Sequence, residues 1–374
     1  MKHRRRTHLW TLFAALALGL VVLPTVMASA TVGTMEVAVD TTLTEDHNGR
    51  IEITADNVTL DCAGHKVVGP AAPSGSIIGI QVHFRSGVTV RNCDVSGFVI
   101  GISLHDTDGS TVEDNTLHDN VTGDVPVGMS LNGSSDNVIE DNVANGNSGD
   151  GIAVQVSAGD STGNTFDGNT LTDNGRFGFV LAGATGNTIR NNVAKRITSG
   201  FSLEDGAKTN TLSNNLTQDN DEFGFRIEDS GNNTLESNQS VDNGETGFLV
   251  SGSSLSNVLL SNEAHRNGWW GFEDETTGGE GILGTSTTYS KNRCTGNENG
   301  GSKPMGLCQE EPVGLVNPSS GEWHLRHSEN SVVSFYYGNP GDVPFMGDWD
   351  CDTVATPGLF RTSDAFAYLR NSNS

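Results

Sequence analysis

Aromatic residues make up only 6% of the 374-residue chain and hydrophobic residues only 34%. That scarcity excludes a thick core of leucine and aromatic side chains. Basic residues are scarce too: 21 lysines and arginines face 46 acids, a formal net charge of −25. Such a surface repels nucleic acid and anionic lipid and tolerates cations such as calcium. No nucleic-acid partner is expected. Long apolar runs are absent but for one. "LWTLFAALALGLVVL" follows the basic "MKHRRRTH" and precedes "ASA", which ends at Ala30. Residues 1–30 read as an export signal with a small-residue cleavage site, too short an apolar run for an anchor. The mature chain is expected to start near Thr31 and to be secreted, extracellular or at the cell surface. No membrane insertion is expected after cleavage.

Glycine is abundant, with 47 copies, and asparagine recurs in register. In "NTLESNQSVDNGETGFLV", Asn233, Asn238 and Asn243 stand five residues apart, a step that fits neither a helix face nor a strand face. One column of the repeat holds Asn137, Asn164, Asn187, Asn210, Asn233 and Asn257. A second holds Asn115, Asn142, Asn169, Asn192, Asn215, Asn238 and Asn262, and a third Asn120, Asn147, Asn174, Asn220, Asn243 and Asn267, with Ile197 as its exception. A Gly-apolar-x-apolar unit follows each set, from "GISL" at 101 to "GFLV" at 247, at spacings of 22 to 27 residues.

A period in the twenties with short alternating strands marks a solenoid. Leucine-rich repeats share the period but need a leucine framework that is missing here. The expected fold is all-β: a right-handed parallel β-helix in which equal positions of successive coils lie roughly 4.8 Å apart. Stacked asparagines then pass amide hydrogen bonds up the column as a ladder. Asparagine also tolerates the left-handed conformation that a sharp corner demands. Ile139, Phe166, Ile189, Leu212, Leu235 and Leu259 should form one interior stack, and Phe179, Phe201, Phe225 and Phe248 another. "GFEDE" from Gly271 breaks the alternation, so the solenoid is expected over residues 31–275, with a loop-rich cap or linker at 276–312. Export permits disulfides. Cys294 and Cys308 close a short loop, Cys62 and Cys93 fall near one corner of successive coils, and Cys351 is left over.

"ADNVTLDCAGHKVVG" at 55–69, "RSGVTVRNCDVSGF" and the N-x4-N-x4-N coils resemble the right-handed parallel β-helix repeat family over roughly residues 40–275. The NosD-like periplasmic group and the pectate-lyase-like, carbohydrate-active solenoids are the nearest flavour. That fold hosts lyases, hydrolases, epimerases, adhesins and accessory proteins, so it does not fix an activity. In the tail, "GLVNPSSGEWHLR" from Gly314 recurs 44 residues later as "GLFRTSDAFAYLR" from Gly358. Residues 313–374 resemble an incomplete FG-GAP/VCBS repeat, a partial propeller-type β region, since one blade and a fraction cannot close a propeller. The resemblance implies a calcium loop at Asp348, Asp350 and Asp352, with Thr353 in the place of the usual glycine.

The resemblance also says where catalysis would sit. Polygalacturonases carry paired aspartates and Gly-His-Gly; "SGDGIAV" at 148–154 echoes only the first. The Asp-Pro-His-Asp of alginate epimerases is missing. Pectate lyases set acids beside a basic arginine, and the nearest match is Arg226 with Glu204 and Glu228. An arginine among acids on stacked strands is more often a surface ion-pair ladder. The position two before each coil glycine holds Arg176, Thr198, Glu222, Glu245 and Trp269, which would line one edge of a substrate groove, and Trp269 beside Trp270 offers a platform for a sugar ring. His65, His83, His105, His118 and His265 are scattered, with no pair at metal-ligand spacing. The function expected is an exported solenoid that binds extracellular or cell-envelope polysaccharide; processing of it, as a lyase, hydrolase or epimerase, stays open because no catalytic motif is recognisable. The rival is a non-catalytic surface or adhesion protein.

Overall fold

The computed structural model describes residues 30–70, 78–120, 126–157, 159–276, 279, 284–310, 313–328, 331–347, 349 and 356–370. Among them there is no α-helix. The chain coils through three parallel sheets of 13, 12 and 11 strands, visiting each once per turn. This is a right-handed parallel β-helix of about ten turns. One coil shows the pattern: Thr211–Ser213, Leu216–Gln218 and Phe225–Glu228 lie on three successive faces. The strand Thr211–Ser213 pairs with Thr188–Arg190 on one side and Thr234–Glu236 on the other. The 12-stranded sheet carries the longest strands, up to six residues, as in Ser199–Glu204; it is called here the long-strand face.

The interior is two stacks of side chains. Ile139, Phe166, Ile189, Leu212, Leu235 and Leu259 are all fully buried and follow one another in register. The phenylalanine stack is longer than expected. Phe179, Phe201, Phe225 and Phe248 are joined by Phe272, and the last three rings lie nearly parallel at 4.7 and 4.6 Å. At the coil glycines neighbouring turns approach too closely for a side chain. A Cβ on Gly247 would sit 2.7 Å from the Gly271 carbonyl oxygen and 2.8 Å from the Asn267 amide nitrogen.

All three asparagine ladders form. Asn210 donates to the Asn233 Oδ1 from both its backbone N–H (3.0 Å) and its Nδ2 (3.1 Å), and the same double bond recurs along each column. At Ile197 the third ladder keeps its backbone half only, Ile197 N–H to Asn220 Oδ1 at 3.2 Å. One expectation is corrected. The ladder asparagines do not adopt the left-handed conformation; the residue just before each of them does, as at Asn214, Asp219 and Asp242 (φ 53°, 54° and 56°). The turn is made one residue early so that the asparagine side chain points inward. There Asn215, 1% exposed, reaches the Ile189 carbonyl at 2.9 Å.

The parallel sheets also run past the expected close at residue 275. Thr288–Ser290, Arg293–Thr295 and Gly300–Lys303 add a coil, and Gln309–Glu310 a last strand. Asn292 and Asn297 extend the second and third ladders. The longer spacing of this coil masked it, as did the polar residues of "GFEDE". Asp274 occupies the interior column of Ile227 and Val250 and is kept there by hydrogen bonds from Tyr289 Oη (2.8 Å) and the Thr276 N–H (2.8 Å). Both expected disulfides form, Cys62–Cys93 and Cys294–Cys308. Cys93 stands at the head of the second ladder: its N–H donates to Asn115 Oδ1, and a covalent bond to Cys62 takes over from the amide.

Beyond the solenoid lie two three-stranded antiparallel sheets, Val313–Asn317 with Glu322–Ser328 and Ser331–Tyr336, then Val343–Gly347 with Thr356–Arg361 and Phe366–Leu369. Both copies of the tail repeat, from Gly314 and from Gly358, open a strand pair. Asp348, Asp350, Asp352, Cys351 and, but for Ala30, the expected export signal of residues 1–30 lie outside the described residues. Among the described residues no helix is long and apolar enough to cross a membrane.

Candidate functional site

On the long-strand face, alternation sends Phe201 and Leu203 into the core and leaves Ser202 and Glu204 on the outer side. Register then stacks three outward columns. The middle one runs Ser103, Ser130, Ala153, Val180, Ser202, Arg226, Leu249, Glu273 and Lys303. It is shielded for an outer column, Ala153, Val180 and Ser202 being at most 1% exposed.

Charge gathers in the second half of this face. Arg226 Nη1 lies 3.7 Å from Glu204 Oε2, and its Nη2 contacts Glu228 Oε2. Sequence placed these three together and the structure does as well. Three coils before Arg226, Asp150 of "SGDGIAV" is 1% exposed and bound by Arg176 through two hydrogen bonds of 2.8 Å. The Arg176 guanidinium also covers the Phe177 ring at 4.6 Å. Burial pushes the Glu204 carboxyl above the usual range, and the two nearby arginines only partly offset it.

The corner column stacks as expected through backbone hydrogen bonds: Glu222 to Thr198, Glu245 to Glu222, and Trp269 to Glu245. Trp269 is 50% exposed, whereas Trp270 packs on Gly300. Burial, then repulsion from Glu222 and Glu273, raises the Glu245 carboxyl. Glu273 is 5% exposed and held by Lys303 Nζ at 2.9 Å and Thr246 Oγ1 at 3.1 Å. Sequence reasoning singled out neither Asp150 nor Glu273 as site residues. Reading the Ser202–Arg226–Leu249 column one coil further would have found Glu273.

The scattered histidines are also corrected. His83 and His105 are 22 residues apart but are direct partners on adjacent strands, since one coil is the spacing that counts. Each ends a Gly-Ile-x-apolar-His segment, the signal that could have revealed them.

Residues 47–194 match the family model described as right handed beta helix region, and residues 155–298 the one described as periplasmic copper-binding protein (NosD). No curated protein matches the chain. Similar solved structures include the Dettilon tailspike protein gp208, at 15% identity over 88% of this chain and 70% of that one, TM-score 0.56. A variant of the periplasmic alginate epimerase AlgG is similar at 16% identity over 74% and 75%, TM-score 0.55. So is an alginate lyase from Paenibacillus sp. str. FPU-7, at 16% identity over 62% and 94%, TM-score 0.51. These likenesses agree on the parallel β-helix. Both family matches end before the C-terminal sheets, and neither supports an FG-GAP/VCBS repeat there. The residues matched to the NosD model hold one histidine, His265, no methionine, and Cys294 tied into a disulfide, which is not a copper donor set. Two disulfides fit an oxidising compartment outside the cytoplasm.

Proposed function

We propose that this is an exported β-helix protein whose long-strand face binds, and at Arg226 processes, extracellular or cell-envelope polysaccharide. The observation that carries this reading is the gathering on one face of Arg226 between Glu204 and Glu228, with Glu222, Glu245 and the half-exposed Trp269 along its edge. Carboxylates accept hydrogen bonds from sugar hydroxyls, and an indole face takes the apolar side of a pyranose ring. The similar solved proteins named as an alginate epimerase and an alginate lyase support a glycan ligand on this scaffold. Glu204, raised by burial, is the group suited to give a proton to a leaving glycosidic oxygen.

Charge bears on which glycan. The Arg176 and Arg226 cluster includes three acids, Asp150, Glu204 and Glu228, and the whole chain carries −25. A polyuronate is repelled unless calcium bridges the two, so a neutral polysaccharide is the better fit. A second reading, a non-catalytic surface protein, is favoured by the same pairs: both arginines are already matched to carboxylates.

The test uses mature protein, with and without calcium, on neutral and uronate-containing polysaccharides. Binding, new reducing ends and unsaturated products are followed. Processing predicts product that is lost in Arg226→Ala and binding weakened in Trp269→Ala. Binding without product supports the surface-protein reading, and no binding to any glycan overturns the polysaccharide reading.

A further inference from the structure

Four coils toward the N-terminus from Glu204, roughly 19 Å along the axis at one strand separation per coil, the same outer column ends in histidine twice. His83 and His105 close the strands Ile78–His83 and Ile100–His105. Their rings meet edge to face at 4.6 Å. The next residue of the later coil, Asp106, has φ of 46°, and this turn brings its carboxylate back to His105, Nε2 to Oδ2 at 3.4 Å. One donor atom from each of His83, His105 and Asp106 lies within 4.8 Å of the other two.

His83 Nε2 is shielded from solvent and has no hydrogen-bond partner among the described residues. An imidazole nitrogen left unpartnered away from water is unfavourable. The ring is held in plane by Phe84, stacked on it at 4.0 Å. So the fold presents a ring nitrogen without a hydrogen-bond partner beside a second imidazole and a carboxylate.

We infer that His83, His105 and Asp106 bind a first-row divalent transition metal. Two imidazoles and one carboxylate form a borderline donor set that suits copper(II), nickel or zinc, whereas calcium and magnesium require mostly oxygen. Donors about 2.1 Å from a shared ion lie at most about 4.2 Å apart, so a small rotation of the partly exposed His105 and Asp106 closes the site. Three protein ligands leave positions open to water or an incoming ligand. The site lies outside residues 155–298, the segment similar to NosD, and owes nothing to that likeness.

The test is titration of full mature protein, free of any histidine tag and stripped with chelator, by copper(II), zinc(II) and calcium in separate calorimetric runs. Expected is about one transition-metal ion per chain with Kd below about 10 μM, copper(II) tighter than zinc(II), and no displacement by calcium. Electron paramagnetic resonance of the copper form should show nitrogen coupling from imidazole. Asp106→Asn, which keeps a residue tolerant of the left-handed turn, should weaken binding at least about tenfold. The double change His83→Ala with His105→Ala should abolish it. Should that variant misfold, His105→Gln, at a partly exposed position, serves instead. Weak binding by every ion, with Kd above about 100 μM, overturns the inference, as does binding that survives loss of the histidines.

Discussion

Asn215 and Asn238 stand 23 residues apart in sequence, yet the backbone N–H and the Nδ2 of Asn215 both donate to the single Oδ1 of Asn238, each at 2.9 Å. Asn192 does the same to Asn215. Each asparagine therefore satisfies two donors from one neighbour and delivers two to the next. Asn215→Ala would leave the Asn192 N–H and Nδ2 and the Ile189 carbonyl without this partner, all away from water. The Asn192 Nδ2 keeps the Phe166 and Arg190 carbonyls, so two groups are left, and at about 1–3 kcal/mol for each unsatisfied buried group the loss should total about 2–6 kcal/mol. Hydrogen exchange should report it as faster exchange in the coils bearing Asn192 and Asn238, with distant coils little changed, because a solenoid's coils couple to their neighbours. Uniform acceleration along the chain would contradict the local account.

Asp150 and Arg176 are an unequal pair. The carboxylate is 1% exposed and the guanidinium 46%. Arg176→Ala strands a buried charge, which costs about 3–5 kcal/mol. Asp150→Asn leaves the arginine free to turn to water and keeps an oxygen for the Phe177 N–H, now 3.2 Å from Asp150 Oδ1. The arginine change should therefore lower the melting temperature clearly more than the aspartate change. Equal losses would mean that the pair acts as an exposed ion pair, worth little either way.

The fold was legible because a solenoid writes its third dimension into sequence: one coil of spacing is one step of stacking. The ladders from Asn115 to Asn267, the Leu212–Leu235–Leu259 stack and both disulfides could be read in that way. Asn292 and Asn297 were hidden by a longer coil and by Glu273 and Asp274, where polar residues take places in the outer and inner columns that hydrophobic ones fill elsewhere. The Arg226 cluster was legible because Glu204, Arg226 and Glu228 fall in neighbouring register. Asp150 and Glu273 were not, because a single coil shows neither what stacks above a residue nor which acid is shielded. His83 and His105 look unrelated under a search for close ligand spacing and adjacent under the coil period.

Asp274 and Tyr289 make a polar contact inside an otherwise apolar column, with Tyr289 Oη donating to Asp274 at 2.8 Å. Burial and that carboxylate hold the phenol well above its usual pKa. Tyr289→Phe removes one donor from a buried acid, and Asp274→Val removes the acceptor of a buried hydroxyl. Each should cost about 1–3 kcal/mol. The double variant restores the apolar pattern of Ile227 and Val250, leaving only the Thr276 groups to find new partners. It should be more stable than the sum of the singles allows, a coupling that a thermal-melt double-mutant cycle measures directly. Additive losses would show that the contact contributes nothing of its own.

His118 gives the fold a pH response with a definite sign. Burial pulls its pKa down, but the carboxylates of Asp119 on Nδ1 and Asp94 on Nε2, each at 2.7 Å, outweigh it and leave the folded value above the usual 6.5. A raised histidine favours the protonated fold. Its contribution is complete below about pH 6.5, the unfolded value, and is lost as pH rises through the folded one. Asp119 is 73% exposed, so solvent screens much of the attraction. His118→Gln should therefore melt about a degree or two below the parent protein at pH 5.5, with the gap narrowing toward pH 8.5. Other titrating groups are common to both proteins and cancel in the difference. A gap that widens with pH would reverse the sign and place the neutral ring, not the imidazolium, between the two carboxylates.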